Sequence, residues 1–153
     1  MKKSFILFSI IVVILMLSGC INKDEVKTMK CSRTLTQDSV KMTLNYEVDY
    51  KGDYVQTVHS VEKIKSSDKS ILNSYKKQLE SFYSSYKNIE YYSSNVVING
   101  DELVSTVDIN YAKIDTDKMI EVDSANALII KDGKVKIDDV RTTYESLGTI
   151  CEG

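Results

Sequence analysis

Hydrophobic and polar residues alternate strictly between positions 40 and 50. Because successive side chains of a strand point to opposite faces, this period of two predicts a strand with one buried face and one exposed face. The turn residues Gly52 and Asp53 interrupt the pattern, and residues 54–64 resume it as a second strand. The alternation slips near His59, and we interpret the slip as a β-bulge.

A helical period follows between residues 71 and 86, where hydrophobic residues recur at spacings of three and four. Such a stripe is typical of a helix that covers the buried face of a sheet. Ser67 or Asp68 can cap its N-terminus, and Asn88 is the expected C-terminal stop. The residues expected to face the core are Ile71, Leu72, Tyr75, Leu79, Phe82, Tyr83 and Tyr86.

A second hairpin is predicted on either side of Asn99 and Gly100, which separate alternating runs at residues 91–98 and 103–111. Asn-Gly favours the tight turns that join antiparallel strands, because both residues tolerate a positive φ. Residues 115–131 fit either helix or strand, and the pattern leaves the two open.

The chain ends in a predicted helix that begins near Asp138 and stops at Gly148. An earlier strand, at about residues 29–35, is expected to pair beside the first hairpin. The order β-β-β-α-β-β-α predicts an α+β fold: an antiparallel sheet with the long helix packed on one face and a C-terminal helix. We expect residues 29–153 to form a single domain. The C-terminal helix should direct three residues inward: Val140, Tyr144 and Leu147.

The N-terminal segment has a different composition from the rest. Lys2 and Lys3 precede a run of 13 residues, positions 5–17, that is hydrophobic except for Ser9. This layout is typical of a secretory signal peptide, and the run is shorter than the roughly 20 residues of a membrane-spanning helix. It ends in a segment that looks like the lipobox of a bacterial lipoprotein: Leu17, Ser18, Gly19 and Cys20.

The lipobox resemblance implies that a dedicated peptidase cleaves after Gly19 and that Cys20 carries a diacylglyceryl group. Residues 1–19 are then a signal peptide, and residues 20–28 are a lipidated N-terminus and a polar tether. The lipid would anchor the domain to the cell membrane, outside the cytoplasm. Loss of the two N-terminal lysines changes the formal net charge from −2 to −4. An acidic domain argues against nucleic acid as a partner.

Two further cysteines, Cys31 and Cys151, remain once Cys20 is assigned to lipid. In an exported protein the simplest expectation is that they form a disulfide, and two free thiols are the alternative. The chain has no C-x-x-C motif, so we expect a structural rather than a redox-active bridge.

Candidate catalytic and metal-binding groups are few. His59 is the only histidine, which excludes a metal site with several histidine ligands. Four acidic residues lie between positions 115 and 123, but Met119 and Ile120 stand where an EF-hand loop requires Asp or Asn and then Gly. We interpret them as a solvated loop. The sequence therefore predicts no catalytic residue, no metal site and no cofactor.

Tyrosine is the most informative residue type, with ten in the chain. A tyrosine buries its ring and keeps its hydroxyl in water, so it suits both a sheet–helix boundary and a binding surface. Tyr91 and Tyr92 are adjacent on a predicted strand and should point to opposite faces. One of them should face outward, and the pair is our candidate contact surface.

Four short segments contain turns and helix ends: Tyr-Lys-Gly-Asp at 50–53 followed by Val55, Tyr-Lys-Asn-Ile at 86–89, Ala-Lys-Ile-Asp at 112–115, and Leu-Gly at 147–148. Together they resemble the YehR-type family of small bacterial lipoproteins. The resemblance implies an α+β fold and a lipid anchor, and it provides no catalytic residue. The two cysteines at 31 and 151 look like a departure from the enteric members.

These features predict a lipid-anchored envelope protein without catalytic activity, which binds a partner protein or a small ligand through its sheet face or loops. An envelope hydrolase that acts on wall polymer or lipid is the main alternative. That alternative requires a cleft that contains carboxylates, or His59, with strongly shifted pKa values. A weak cation-binding module at residues 115–123 is the second alternative.

Overall fold

The computed structural model of the chain describes residues 25–153, which form an antiparallel sheet with helices on one face. Its elements, in chain order, are β1 (Val26–Gln37), β2 (Val40–Lys51), β3 (Tyr54–Lys65), α1 (Lys69–Ser84), β4 (Tyr92–Asn99), β5 (Glu102–Asn110), α2 (Thr116–Val122), a 3₁₀ helix (Ser124–Leu128), β6 (Ile130–Lys131), β7 (Lys134–Val135), α3 (Ile137–Ser146) and β8 (Ile150–Glu152).

The main sheet has the strand order β4-β5-β3-β2-β1-β8, and each pair of neighbours is antiparallel. Strands β6 and β7 pair separately as a short hairpin. The predicted α+β class, with its antiparallel hairpins and two principal helices, is confirmed. The segment that the sequence left open contains α2, the 3₁₀ helix and β6, so it is mostly helical.

Three two-residue loops set the register of the long strands. The first residue of each loop has a positive φ, which is 51° at Asp38, 58° at Gly52 and 61° at Gly100. A left-handed first position matches the right-handed twist of the paired strands. The hairpin predicted at this position is confirmed, but its loop residues are Gly100 and Asp101. Asn99, predicted as a turn residue, ends β4 and pairs with Glu102.

Strand β3 contains its bulge at Gln56, where the pairing with β2 shifts by one residue. The bulge predicted near His59 is therefore wrong in position. Beyond Gln56 the strand is regular, and Ser60 and Glu62 lie on the helix-covered face between the buried Val58 and Ile64. Polar side chains at inward positions, rather than an irregular backbone, interrupt the hydrophobic pattern there.

Helix α1 covers β4, β5 and the near end of β3. Its N-terminus is capped by Asp68, whose carboxylate accepts a hydrogen bond from the amide of Ser70 at 2.7 Å. Leu72 is fully buried beneath the helix. It belongs to the first hydrophobic cluster, whose buried members are Ile64, Leu72, Val96 and Leu103.

Two expectations for α1 are wrong. The helix ends at Ser84 rather than at Asn88, and Tyr86 lies buried in the turn that follows. Phe82 is 53 % exposed, although its spacing placed it in the core. Its ring packs on the neighbouring rings of Tyr83 and Tyr86 at the end of α1.

A second hydrophobic cluster lies between the other half of the sheet and the C-terminal elements. Helix α3 contributes the buried Val140 and the partly buried Tyr144. Leu147 is exposed, contrary to its predicted inward position, because α3 ends at Ser146 and the chain turns away. The carbonyl of Leu147 accepts a hydrogen bond from the guanidinium of Arg33.

The C-terminal strand β8 pairs with β1, and a disulfide joins Cys31 to Cys151 where the two face each other. This is the pairing expected from the cysteine count. Strand β1 begins at Val26, so its first three residues belong to the sheet and not to the tether assigned to residues 20–28. These residues have no local pattern that predicts a strand, and they are ordered by pairing with β2. Thr28, for example, donates a hydrogen bond to Asp49 at 2.6 Å.

Within residues 25–153, each helix is too short or too polar to cross a membrane.

Candidate functional site

The two hydrophobic clusters leave a gap between them on the helix-covered face of the sheet, and this gap is the candidate site. Its floor is formed by inward-facing residues of β2, β3 and β5. Glu62 faces Leu44 on one neighbouring strand and Ser105 on the other. Ser60 faces Tyr46 and Val107 in the same way. A row of polar side chains therefore crosses the middle of a face that is hydrophobic at both ends.

The end of α1 and the segment after β5 form the walls of this gap. We name it the helix-face cleft, and its volume is about 280 Å³. Five aromatic residues line the cleft, and Met119, Asp123 and Asn126 line it beside Tyr86. The aromatic lining residues are Tyr46, Phe82, Tyr83, Tyr86 and Tyr92.

The aromatic rings are fixed by contacts with one another. Tyr86 and Tyr92 stack with ring centroids 4.9 Å apart. Phe82 packs against Tyr86 with centroids 5.5 Å apart. Tyr46 stacks on Tyr144 of α3 at 4.3 Å, which joins the floor to the C-terminal helix. Offset and tilted ring pairs of this kind stabilise one arrangement of the rings.

Hydrogen bonds hold most of the polar groups around the cleft. The hydroxyls of Tyr83 and Ser105 are 3.0 Å apart and share a hydrogen bond. Tyr86 donates its hydroxyl proton to Asp123 at 3.3 Å. The other carboxylate oxygen of Asp123 accepts the amide proton of Ala125 at 2.9 Å, which caps the 3₁₀ helix. Each carboxylate oxygen of Asp123 therefore accepts one hydrogen bond from the fold.

Glu62 is the exception among these polar groups. Its carboxylate is about half buried and has no hydrogen bond or ion pair with the other residues between 25 and 153. Burial raises its pKa, because the charged form loses hydration that nothing replaces. Burial also raises the pKa of Tyr46, and the negative charge of Glu62 adds to that increase. The positive charge of Arg33 on β1 opposes this increase in the pKa of Tyr46.

Basic side chains do not line the cleft. Arg33 occupies the inward face of β1 beside Leu44, which places it two strands from Glu62. Its guanidinium donates to the carbonyl of Leu147. The cleft thus combines aromatic rings, hydroxyls and two carboxylates without a neutralising cation in its lining.

The two tyrosines predicted as a contact surface have different positions. Tyr91 precedes β4 with a φ of 67° and is 46 % exposed, and its ring lies 5.5 Å from the ammonium of Lys113. Tyr92 begins β4, points inward and forms part of the cleft wall. Burial raises the pKa of Tyr92 far above its usual value. Their role in contacts stays a prediction.

His59 lies on the opposite face of the sheet, because it alternates with Ser60 along β3. Its Nδ1 is 2.6 Å from the carboxylate of Asp108 on β5, and both side chains are about half exposed. The residues around it form an open groove that includes Tyr91 and Asn110. His59 is therefore separated from Glu62 by the thickness of the sheet.

The acidic residues between 115 and 123 do not converge. Asp115 caps α2 by accepting the amide proton of Lys118 at 3.2 Å, and Asp123 caps the 3₁₀ helix. Among residues 25–153, no three His, Cys, Asp or Glu side chains are placed to hold a metal ion. The predicted lipidation site Cys20 and the lipobox residues Leu17, Ser18 and Gly19 lie outside the described residues.

Sequence reasoning missed the floor of the cleft. Ser60, Glu62 and Ser105 are polar residues at positions where the strand pattern requires hydrophobic ones. Polar residues at intended core positions are errors of patterning unless they have a function. That rule is the signal in the sequence that could have indicated the cleft floor, whereas we predicted a bulge from the slip in β3.

Comparison with known proteins gives a distant relative that is named as a bacterial lipoprotein. No protein-family model matches the chain. The chain is 26% identical over 124 residues to an uncharacterised lipoprotein of Listeria monocytogenes, with 80% of this chain and 77% of the relative covered. Similarity at this level supports a distant relationship to a lipoprotein without assigning a role.

Two solved structures share the fold. The NMR structure of the YehR protein of E. coli superposes with a TM-score of 0.60 at 20% identity, over 84% of this chain and 91% of that protein. The NMR structure of a protein from Streptococcus pneumoniae gives a TM-score of 0.52 at 15% identity, over 89% of this chain and 90% of the other. The resemblance to the YehR-type family is thus supported at the level of fold.

Proposed function

We propose that this protein is a lipid-anchored protein of the cell envelope that binds a small ligand, without chemical conversion, in the helix-face cleft. The observation that carries the binding function is the row of polar side chains on the cleft floor. Hydrophobic residues at these positions on the cleft floor would make the fold more stable. The retained opening, ringed by aromatic side chains, has the composition of a small-molecule site.

The location rests on the signal-like N-terminus, the lipobox resemblance at Cys20 and the similarity to a lipoprotein. A disulfide between Cys31 and Cys151 adds support, because such bridges persist in oxidising compartments outside the cytoplasm. Two acyl chains on Cys20 would hold the domain stably at the membrane.

Several contacts favour binding over hydrolysis. Paired carboxylates are the usual catalytic groups of glycosidases, one as acid and the other as base or nucleophile, so both must be free to act on the substrate. Glu62 is free, but both oxygens of Asp123 already accept hydrogen bonds from the protein. The hydroxyl of Ser105 is engaged with Tyr83, and His59 lies on the far face of the sheet.

The anchor is tested by mass spectrometry of the protein from membranes. We expect a mature N-terminus at Cys20 with a mass increase that corresponds to diacylglycerol and its fatty acids. The Cys20→Ser variant should keep its N-terminal segment and lack the lipid. A lipid-free protein cleaved at another position would contradict the anchor while leaving the cleft proposal intact.

The cleft is tested by native mass spectrometry of the full chain, extracted from the membranes of its own cells in a maltoside detergent. We expect a bound small molecule of defined mass. Ser60→Trp fills the floor of the cleft and should abolish this adduct. His59→Trp places the same ring on the opposite face of the same strand and should retain it. An adduct that survives in both variants, or none in the wild-type protein, would refute binding in the cleft.

A further inference from the structure

We propose that the ligand of the helix-face cleft is a small organic cation, an alkylammonium compound held by the carboxylate of Glu62 among tyrosine rings. This inference rests on the proposed function and specifies its ligand class. It follows from the charge, the aromatic lining and the size of the cleft.

The lining of the helix-face cleft is acidic. Its ionisable groups besides the tyrosines are Glu62 and Asp123, and no lysine, arginine or histidine is among the lining residues. Asp123 is engaged by Tyr86 and by the backbone of Ala125, so its charge is partly compensated. Among residues 25–153, Glu62 has no hydrogen bond or ion pair that would compensate its charge. A half-buried carboxylate without a partner is costly to the fold, and a cationic ligand supplies the missing partner.

The aromatic lining favours an organic cation over a metal ion. Hard metal ions require several oxygen ligands in one place, and the described residues offer no cluster of three acidic or thiol groups. An alkylammonium group instead gains from rings within about 6 Å of its charge, because their electron-rich faces attract cations. Tyr46, Tyr83 and Tyr92 lie around the same opening as Glu62.

The pKa values of two tyrosine hydroxyls also indicate that Glu62 lies near the rings. The negative charge of Glu62 contributes to the raised pKa of both Tyr46 and Tyr83, although burial is the larger cause for each. The strand register agrees with this, because Glu62 pairs with Ser105, whose hydroxyl is 3.0 Å from that of Tyr83. Tyr46 pairs with Ser60, two residues before Glu62 on β3, so one bound cation can lie beside all three side chains. Phe82 is exposed at the rim, where a hydrophobic ring can cover the alkyl part of the ligand.

The size of the cleft limits the ligand. A volume of about 280 Å³ is near the lower end of the range for small-molecule sites. The cleft accommodates a compact ammonium compound rather than a folded partner or a polymer segment. We therefore expect free small cations to bind without the rest of any larger molecule.

The test compares choline with its uncharged carbon analogue, 3,3-dimethylbutan-1-ol, which has the same shape without the positive charge. Both are titrated into the full chain in a maltoside detergent, and binding is followed by calorimetry and by NMR of backbone amides. We expect choline to bind at least about tenfold more tightly than the neutral analogue. The shifted amides should include those of Ser60 and Ser105.

Two charge variants assign the effect to the cleft. Glu62→Gln keeps the shape of the side chain and removes its charge, so choline binding should weaken by about tenfold or more. Glu47→Gln removes the same charge from an exposed position on the opposite face of β2, where Lys30 is 2.9 Å away. Its choline affinity should stay within about twofold of the wild type.

Three results would overturn the proposal. They are equal affinity for choline and the neutral analogue, choline binding that Glu62→Gln leaves unchanged, and no binding of choline, tetramethylammonium or putrescine at tens of millimolar. In each case the adduct experiment on Ser60→Trp and His59→Trp still decides whether the cleft binds a ligand of another class. Failure of the cation proposal is thereby distinguishable from failure of the proposed function.

Discussion

Removal of the disulfide between Cys31 and Cys151 should cost much of the stability of this domain. The bridge joins residues separated by 120 positions, so it closes nearly the whole described chain into one loop. In the chain-entropy treatment a loop of this length restricts the unfolded chain by about 16 cal/mol/K, or about 5 kcal/mol at 25 °C. Residual structure in the unfolded state reduces that figure, and we expect a measured loss of about 3–5 kcal/mol.

The assay is urea unfolding of the Cys31→Ala, Cys151→Ala double variant. The chain has ten tyrosines and no tryptophan, so tyrosine fluorescence and far-UV circular dichroism are the suitable probes. The slope of the free energy against urea should also increase, because an unbridged chain exposes more surface when it unfolds. Strand β8 should exchange its amide protons faster, since its three residues pair only with β1.

Wild-type protein in a reducing agent is the matched control for this prediction. It retains both cysteine side chains, so any further loss in the double variant measures packing at the buried Cys31 rather than the bridge. A loss below about 1 kcal/mol with an unchanged slope would refute the loop-entropy reasoning. The stability would then come from packing that does not require the bridge.

Four other predictions follow from single positions. Leu72→Ala should cost about 3 kcal/mol of unfolding free energy, because the side chain is fully buried, whereas Phe82→Ala should cost under about 1 kcal/mol in the same urea assay. Tyr91→Gly should be more stable than Tyr91→Ala by about 1 kcal/mol, since the backbone there has a φ of 67°; equal stabilities would contradict the left-handed conformation. Burial, with a smaller contribution from Tyr86, raises the pKa of Tyr111 to about 12, so the folding stability it contributes is complete below pH 10 and is lost as the pH rises toward 12. The part of the tyrosinate absorbance that Tyr111→Phe removes should therefore appear late and together with unfolding, and its appearance near pH 10 in a folded protein would count against the prediction. Glu62→Gln should stabilise the domain at neutral pH, and the gain should vanish below about pH 4.5, where the carboxyl is protonated in both folded and unfolded states.

The sequence was sufficient for the strands and loops that depend on local chemistry. In β2 the period of two identified both the strand and its buried face, because alternation is a property of the strand itself. Gly100 identified the second hairpin, since a tight two-residue loop requires a left-handed residue at its start. Asp68 was one of two predicted caps of α1, and its carboxylate forms that cap.

Features that depend on distant contacts were not predictable in this way. The start of β1 is ordered by its partner strand, so the polar residues before Met29 gave no local signal. Phe82 and Leu147 have helical spacing, but both side chains are exposed. Spacing alone does not show which part of a helix packs against the sheet. The cleft itself joins residues from Leu44 to Asn126, which come together only in the folded protein.

The polar row on the cleft floor lowers the stability of the domain. Hydrophobic residues at the positions of Ser60, Glu62 and Ser105 would let the two clusters merge into one core, at a gain of about 25 cal/mol for each Å² of apolar surface buried. Instead, the helices stand apart over this row, and a carboxylate is held without a partner among rings. Functional sites are the places where natural proteins break patterning rules of this kind. Because the disulfide and the two hydrophobic clusters stabilise the rest of the domain, the middle of the sheet is free to stay open and charged. The same residues that weaken the core therefore define the candidate site.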